Sequence, residues 1–417
     1  MVDEFRVFGG RRLEGRTQVS ASKNAVLPIM AASLLTRDSV RLKDLPKIQD
    51  VQNMARILAA LGCGVHWEGR DLCLEPGKAS KWELPDDLSK TLRSSIFLLG
   101  PLLGRFHRAT AAYPGGCEIG QRPVDLHIKG LEALGAEILD ERGMIYCTGE
   151  GMKGGTVILD FPSVGATENA MMAACLIDGD TVIHNAAREP EIGDLQGFLC
   201  AMGARVYGAG TGCVRVTGVT SLHGCDYAPM PDRIVAGTLM MAGAMTGGHV
   251  ELVGARAQDL TSPIHKLIRA GCRVETAKDA LVLDAPDKLA AQDIYTQPYP
   301  GFPTDLQAQW MALSCVSAGT AMIVENLFES RFAHAAELRR MGADVRVEQR
   351  TAIVRGTSLT GARVRARDLR GGAALTLAAL AAKDYSEIEN VALIDRGYER
   401  LEEQLSSLGA DIRRIRS

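Results

Sequence analysis

Six times along the chain, a helix-periodic stretch ends in an apolar or small residue followed by glycine, a small residue and a strand-like run. The pairs are Leu61-Gly62, Leu134-Gly135, Met202-Gly203, Ala270-Gly271, Met341-Gly342 and Leu408-Gly409, spaced 67 to 73 residues apart in a chain of 417. A glycine just past a helix adopts the left-handed conformation that ends it, so each pair marks an outer, amphipathic helix turning into a strand. A second helix opens in step with each unit, after Ser22-Lys23-Asn24, Leu92-Arg93-Ser94, Ser163-Val164-Gly165, Pro231-Asp232-Arg233, Pro303-Thr304-Asp305 and Asp368-Leu369-Arg370. The residues after these starts are small and apolar almost throughout, as in Ala236 to Ala244, which predicts helices buried on all sides.

The halves are related too. Lys23 and Asp232, Leu61 and Ala270, Leu13 and Leu222, and Gly15 and Gly224 are each 209 residues apart. The six units therefore group as three plus three. The expected fold class is α/β: two lobes of three βαβαββ units, with residues 23–230 in one lobe and 1–22 plus 231–417 in the other. A chain that starts in mid-unit is completed most simply if its first strand joins the second half. The expected active site is the cleft between the lobes.

Composition excludes several classes. Hydrophobic residues make up 46% and charged residues 23%, so the chain is neither disordered nor fibrous. A net charge of −3 gives no support for a protein that coats nucleic acid or an anionic membrane by its overall field. Ten cysteines without a CxxC pair suit a reducing cytoplasm. No apolar run reaches the roughly 18 residues of a membrane helix, and a soluble cytoplasmic monomer is expected.

Chemistry concentrates at the unit ends. Helix N-termini carry unpaired N–H groups and attract anions. Each unit also sets a cation 10 to 14 residues before its glycine turn, at Lys47, Arg122, Arg188, Arg256, Arg331 and Arg396, and the inner-helix starts add Lys23, Arg93, Arg233 and Arg370. Any one of these alone reads as a solvated surface charge. As a set in repeat phase they point to polyanionic small molecules. The segment Pro114-Gly115-Gly116-Cys117-Glu118-Ile119-Gly120 surrounds one thiol with three glycines, an unusual setting for a core cysteine; Cys117 there can act as acid, nucleophile or redox target. Asp305 follows a rigid Tyr299-Pro300-Gly301-Phe302-Pro303 approach, and its commoner role would be a helix cap. Gly149 to Gly154 fits GxGxxG but leads into a strand, so it reads as a hairpin and not a dinucleotide loop. His107, His127, His223, His265 and His334 lack ligand spacing, and neither metal nor cofactor is expected.

Lys23-Asn24, the Cys117 loop with Arg122-Pro123-Val124-Asp125-Leu126-His127, Ser163-Val164-Gly165-Ala166-Thr167, Asn185 to Glu191, Phe302 to Asp305, Arg331-Phe332, Asp368-Leu369-Arg370 and Ile394 to Glu399 together resemble the UDP-N-acetylglucosamine 1-carboxyvinyltransferase family, of EPSP synthase-like fold, over the whole chain in order. The resemblance implies an inside-out α/β barrel in each lobe. It also implies transfer of the enolpyruvyl group of phosphoenolpyruvate to the 3′-hydroxyl of UDP-N-acetylglucosamine, with release of phosphate, in peptidoglycan precursor synthesis. It implies Cys117 as proton donor and as the target of fosfomycin-type epoxides, and Asp305 as acceptor of the sugar hydroxyl proton. Lys23, Arg122 and Arg396 are then implied at the phosphate of phosphoenolpyruvate, Arg331 and Arg370 at its carboxylate. Asn24, Arg93, Pro123, Val124, Asp125, Leu126, Ser163, Val164, Gly165 and Leu327 are implied at the sugar nucleotide. Phe161-Pro162 and Val235 depart from a common pattern of the family at a diphosphate-binding Lys and an acidic position. The competing readings are a transferase acting on shikimate 3-phosphate, a non-catalytic UDP-N-acetylglucosamine-binding regulator and, more remotely, an RNA 3′-phosphate cyclase.

Overall fold

In the computed structural model of the protein, the described residues are 3–113 and 124–416. They fall into two compact units, 21–113 with 124–230 and 3–20 with 231–416.

Six sheets share one pairing order. In the sheet Ile294–Tyr295, Thr320–Val324, Thr351–Arg355, Asp344–Glu348, the first strand runs parallel to the second, and the second, third and fourth pair antiparallel. The same order recurs in the sheets centred on Val40–Leu42, Asp180–His184, His249–Val253 and Tyr385–Glu389. The sixth, Arg108–Ala112 with Met144–Thr148 and Glu137–Glu141, has three named strands, and a parallel bridge from Glu83 to Thr110 takes the remaining place. Glu4–Phe8 lies antiparallel between Tyr385–Glu389 and Asp411–Ile415, and Glu14–Gln18 lies parallel to His249–Val253. Both opening strands thus complete sheets of the unit formed mostly by 231–416.

The glycines end the outer helices as the pattern requires. Gly62, Gly135, Gly203, Gly271, Gly342 and Gly409 all have φ between 86° and 110°. In each copy the next residue's N–H reaches back to a leucine carbonyl five positions earlier, from Cys63 to Leu58 at 3.0 Å through Ala410 to Leu405 at 3.1 Å. This is the Schellman closure, which satisfies carbonyls the helix leaves open.

The inner helices are buried all round. Arg233–Met245, Gln307–Val316 and Leu369–Ala381 pack on one another in one unit, and their residues are almost entirely buried. In the other, Lys23–Ala32 packs on the Arg93–Leu98 3-10 turn and Leu99–Phe106 on Val164–Ala174. Small residues let these backbones approach: a Cβ on Gly100 would lie 2.5 Å from the carbonyl oxygen of Asn169. Each fully buried Leu, Ile or Met contributes roughly 1.5–3 kcal/mol of transfer free energy, so the apolar helices anchor the polar residues at their starts.

Candidate functional site

In the unit completed by 231–416, the Thr304–Leu306 3-10 turn leads into the Gln307–Val316 helix. Asp305 is not the cap here; Pro303 stands at that position and makes no side-chain cap bond. The Asp305 carboxylate instead accepts from Nη2 of Arg331 at 2.8 Å and from Nη2 of Arg370 at 2.9 Å. Both arginine side chains are 3% exposed, and that of Asp305 is 25% exposed. Burial pushes the Arg370 guanidinium down, but the charges of Asp305, Tyr398 and Asp232 more than reverse this, so its pKa is raised and it stays protonated.

The supports of this triad are local. Asp368 caps the Leu369–Ala381 helix by accepting from the N–H of Arg370 at 3.0 Å and of Gly371 at 2.9 Å, which sets the backbone of Arg370. The Arg370 guanidinium lies 5.3 Å from the Tyr398 ring centre, and the Tyr398 hydroxyl meets Thr238 Oγ1 at 2.9 Å and Gln309 Nε2 at 3.0 Å. Arg331 also donates to the Thr304 carbonyl at 3.3 Å and lies 5.6 Å from the Phe328 ring centre. Two buried donors, Arg331 Nε and Arg370 Nη1, have no hydrogen-bond partner among the described residues. An unpaired buried donor costs free energy, and an anionic ligand would remove that cost. Arg396 ends the Val391–Arg396 turn, half-buried, and Leu327 lies in the turn after the Thr320–Val324 strand.

In the other unit, Lys23 opens its helix with Nζ 3.4 Å from Oδ2 of Asp50, which is buried in the first turn of Gln49–Ala60. Asn24, the next residue, is half-buried. Ser163 caps Val164–Ala174, its Oγ accepting the Ala166 N–H at 3.4 Å. Three sequence runs meet at His127. A Cβ on Gly165 would come within 2.7 Å of the His127 ring and 2.8 Å of Phe97, so only glycine lets the ring pack there. Asn169 donates from Nδ2 to His127 Nδ1 at 2.8 Å and to the Ile96 carbonyl at 2.9 Å, and it accepts the Gly100 N–H at 2.9 Å. With Nδ1 accepting, the ring proton sits on Nε2. Burial, then the charge of Arg93, push His127 down to about 4. A neutral His127 thus joins Gly165 and Asn169 to the Asp125–Glu132 helix, and the Arg93–Leu98 turn, which Arg93 opens, meets the same cluster through Ile96 and Phe97; Val124 before the Asp125–Glu132 helix is buried, Asp125 exposed and Leu126 half-buried.

Cys117, Arg122 and Pro123 lie outside the described residues. Of the remaining cations set in repeat phase, Lys47, Arg188 and Arg256 are exposed, Lys47 with its Nζ 5.6 Å from the Trp67 ring centre, while Arg331 is buried and Arg396 half-buried. Half-buried His127 and buried Asn169, Glu325, His334 and Tyr398 received no role from the sequence, since partners such as Asn169 for His127 and Thr238 for Tyr398 are distant along the chain. Spacing along the chain was likewise blind to His66, Glu68 and Cys73, whose possible ligand atoms lie within 4.8 Å of one another on facing strands. There Arg41 already takes Glu68 at 2.9 Å.

In backbone, the chain is similar to the crystal structure of the enolpyruvyl transferase NikO from Streptomyces tendae, with a TM-score of 0.90 and 25% identity over 100% of this chain and 99% of that one. It is also similar to EPSP synthase from Acinetobacter baumannii, with a TM-score of 0.76 and 17% identity over 99% and 100%. The class defined by the fold is that of the enolpyruvyl transferases. The chain belongs to the EPSP synthase (3-phosphoshikimate 1-carboxyvinyltransferase) family, whose pattern it matches over residues 7–405. Within that family it is 48% identical to UDP-N-acetylglucosamine 1-carboxyvinyltransferase 2 of Caldanaerobacter subterraneus over 99% of each chain. It is 47% identical to UDP-N-acetylglucosamine 1-carboxyvinyltransferase of Nitratidesulfovibrio vulgaris, again over 99% of each.

Proposed function

We propose that this chain transfers the enolpyruvyl group of phosphoenolpyruvate to the 3′-hydroxyl of UDP-N-acetylglucosamine and releases phosphate. The observation that carries the reading is the Asp305 carboxylate held by two buried arginines that keep spare donors, in a chain 48% identical to a relative named for this transfer. The 17% identity to an EPSP synthase supports the fold alone, so the shikimate reading has less behind it.

The sugar oxygen bonds to C2 of phosphoenolpyruvate, its proton passes to Asp305, and C3 receives a proton from Cys117. The resulting tetrahedral ketal then loses a C3 proton as its C2–O bond to phosphate breaks, which restores the double bond. Arg331 and Arg370 hold the substrate carboxylate through Nε and Nη1, where guanidinium forks suit a planar anion. Lys23, Arg122 and Arg396 neutralise the phosphate. Asn24, Arg93, Pro123, Val124, Asp125, Leu126, Ser163, Val164, Gly165 and Leu327 take the sugar nucleotide. The substrate carboxylate takes the spare donors and leaves the Nη2 bonds to Asp305 in place, and its negative charge beside the same guanidinium groups offsets their field at Asp305, which favours proton transfer to that base.

No helix among the described residues is long and apolar enough to cross a membrane. The reading places the enzyme in the cytoplasm as a monomer, at the first committed step of peptidoglycan precursor synthesis. Phosphate release measured with each substrate alone and with both decides the matter. Release that requires both supports the reading; release with shikimate 3-phosphate in place of UDP-N-acetylglucosamine, or none with any pair, overturns it.

A further inference from the structure

We infer that Glu325 is a positioning residue for the transfer: a buried carboxylate that pins the Thr304-Asp305 turn to the Leu327-Phe328 turn. The inference rests on the functional reading above. Glu325 is 0% exposed. Its Oε1 accepts from Thr296 Oγ1 at 2.9 Å, from the Leu327 N–H at 2.9 Å and from the Phe328 N–H at 3.2 Å, and its Oε2 accepts from Thr304 Oγ1 at 2.9 Å. All four contacts are donors, which suits an ionised, acceptor-only carboxylate. All four are also neutral, a costly way to bury a charge when an amide of the same shape could meet most of the same partners.

The placement of the four donors shows what Glu325 holds. Thr304 precedes Asp305, and its carbonyl accepts from Arg331 at 3.3 Å. Phe328 offers its ring to the Arg331 guanidinium. Leu327 is the residue proposed for the sugar nucleotide. Thr296 closes the far side, since its Oγ1 also accepts the Asn326 N–H at 2.9 Å. One carboxylate therefore sets the distance between the base, one of its two arginines and a sugar contact. Charge-assisted bonds are roughly twice as strong as neutral ones, so the ion holds these turns more stiffly than an amide does. A misplacement of about 1 Å at a reacting group can cost about a hundredfold in rate.

The test uses the full chain and reads kcat, KM for each substrate and Tm for Glu325→Gln, Thr304→Val, Thr304→Ser and the Glu325→Gln/Thr304→Val double variant. Glu325→Gln and Thr304→Val are each expected to lower kcat/KM for UDP-N-acetylglucosamine about tenfold, and the double variant also about tenfold, because both cut one connection. Thr304→Ser, which keeps the hydroxyl, should recover most of the loss. A merely structural Glu325 would lower Tm and leave kcat/KM of the folded protein within twofold of wild type. That result, or a double variant whose losses multiply to about a hundredfold, overturns the inference. Hydrogen exchange at the Leu327 and Phe328 amides gives a readout without turnover: Glu325→Gln should speed it severalfold. A wild type without phosphate release would overturn the functional reading, whereas unchanged exchange in Glu325→Gln overturns the positioning role itself.

Discussion

Arg370 donates from Nη2 to Oδ2 of Asp305 at 2.9 Å, while its Nη1 has no hydrogen-bond partner among the described residues. The guanidinium is thus divided between a proposed base and an open donor. Arg370→Lys keeps the charge and loses the fork, since an ammonium serves as a point charge and cannot reproduce the planar pair of donors. Its KM for phosphoenolpyruvate should rise about tenfold or more in steady-state assays of phosphate release. A raised KM for the sugar nucleotide with that for phosphoenolpyruvate unchanged would place the carboxylate elsewhere.

Asp305→Asn removes the carboxylate that Arg331 and Arg370 both hold. If Asp305 is the base, kcat should fall by about 10² to 10⁴, the range for loss of a positioned proton acceptor. Two buried guanidinium groups then lose their shared counter-charge, and Tm should fall as well. Adding phosphoenolpyruvate should restore part of that Tm, because its carboxylate meets the same donors. A kcat within tenfold of wild type would remove Asp305 from the chemistry.

The fold was far more legible in the sequence than the support of the site. Gly62, Gly135, Gly203, Gly271, Gly342 and Gly409 end helices because a left-handed residue is required there, a local demand that the sequence exposes. The inner helices were visible for the same reason: runs such as Ala236 to Ala244 leave no polar face. Counting units assigned the first strand to the second half but did not give its partner, which is Tyr385–Glu389. By contrast, Asp305 could not be told from a helix cap, because what distinguishes it is two guanidinium groups 26 and 65 residues away. His127 and Asn169 are 42 residues apart and meet only through the packing of helices on one another.

Stability should respond to pH with two opposed slopes. His127 and His334 are both pushed down to about 4, first by burial, so each is neutral in the folded protein and binds a proton readily only when unfolded. The unfolded chain therefore binds more protons between about pH 6.5 and 4, and stability falls as pH falls through that window, by roughly 3 kcal/mol per histidine at its lower end. Glu168 works in the other direction. Burial, then Glu191 and Glu189, raise its pKa well above the usual carboxylate range, so the folded state holds a proton the unfolded state has released. Its contribution is lost as pH rises above about 4.3. Glu168→Gln should gain stability relative to wild type on going from pH 5 to 8. Denaturant melts at both values measure the difference, and an equal difference at the two would show that Glu168 does not titrate in this range.

Arg414 should be a structural keystone of the C-terminal segment. It donates to both oxygens of Asp395, at 2.8 and 2.6 Å, and to both of Glu402, at 2.7 and 3.1 Å, and it lies 5.0 Å from the Phe5 ring centre. Its side chain is 14% exposed. Arg414→Met leaves the carboxylates of Asp3, Asp395 and Glu402 without their shared cation and should cost about 3 kcal/mol. Because Asp395 precedes Arg396, a proposed phosphate ligand, the same variant should raise the KM for phosphoenolpyruvate severalfold at a temperature where it remains folded. A loss of stability with that KM unchanged would mean that Arg396 is set by other contacts.

Thiol reactivity should separate the cysteines sharply. Burial pushes Cys63 up to about 11 and Cys147, Cys272 and Cys315 up to about 12, and it raises Cys175 further. At pH 8 a thiol with pKa near 12 is ionised to about one part in ten thousand, and the thiolate is the nucleophile. These five should resist iodoacetamide in the folded protein, whereas exposed Cys200 should react. If Cys117 is the proton donor, it should react in the free enzyme and become protected when phosphoenolpyruvate and UDP-N-acetylglucosamine are bound. Peptide mass spectrometry after a timed alkylation reads each site separately. Modification of Cys147 or Cys315 at the rate of Cys200 would contradict the burial of those strands and helices, and equal labelling of Cys117 with and without substrates would take the thiol out of the reaction.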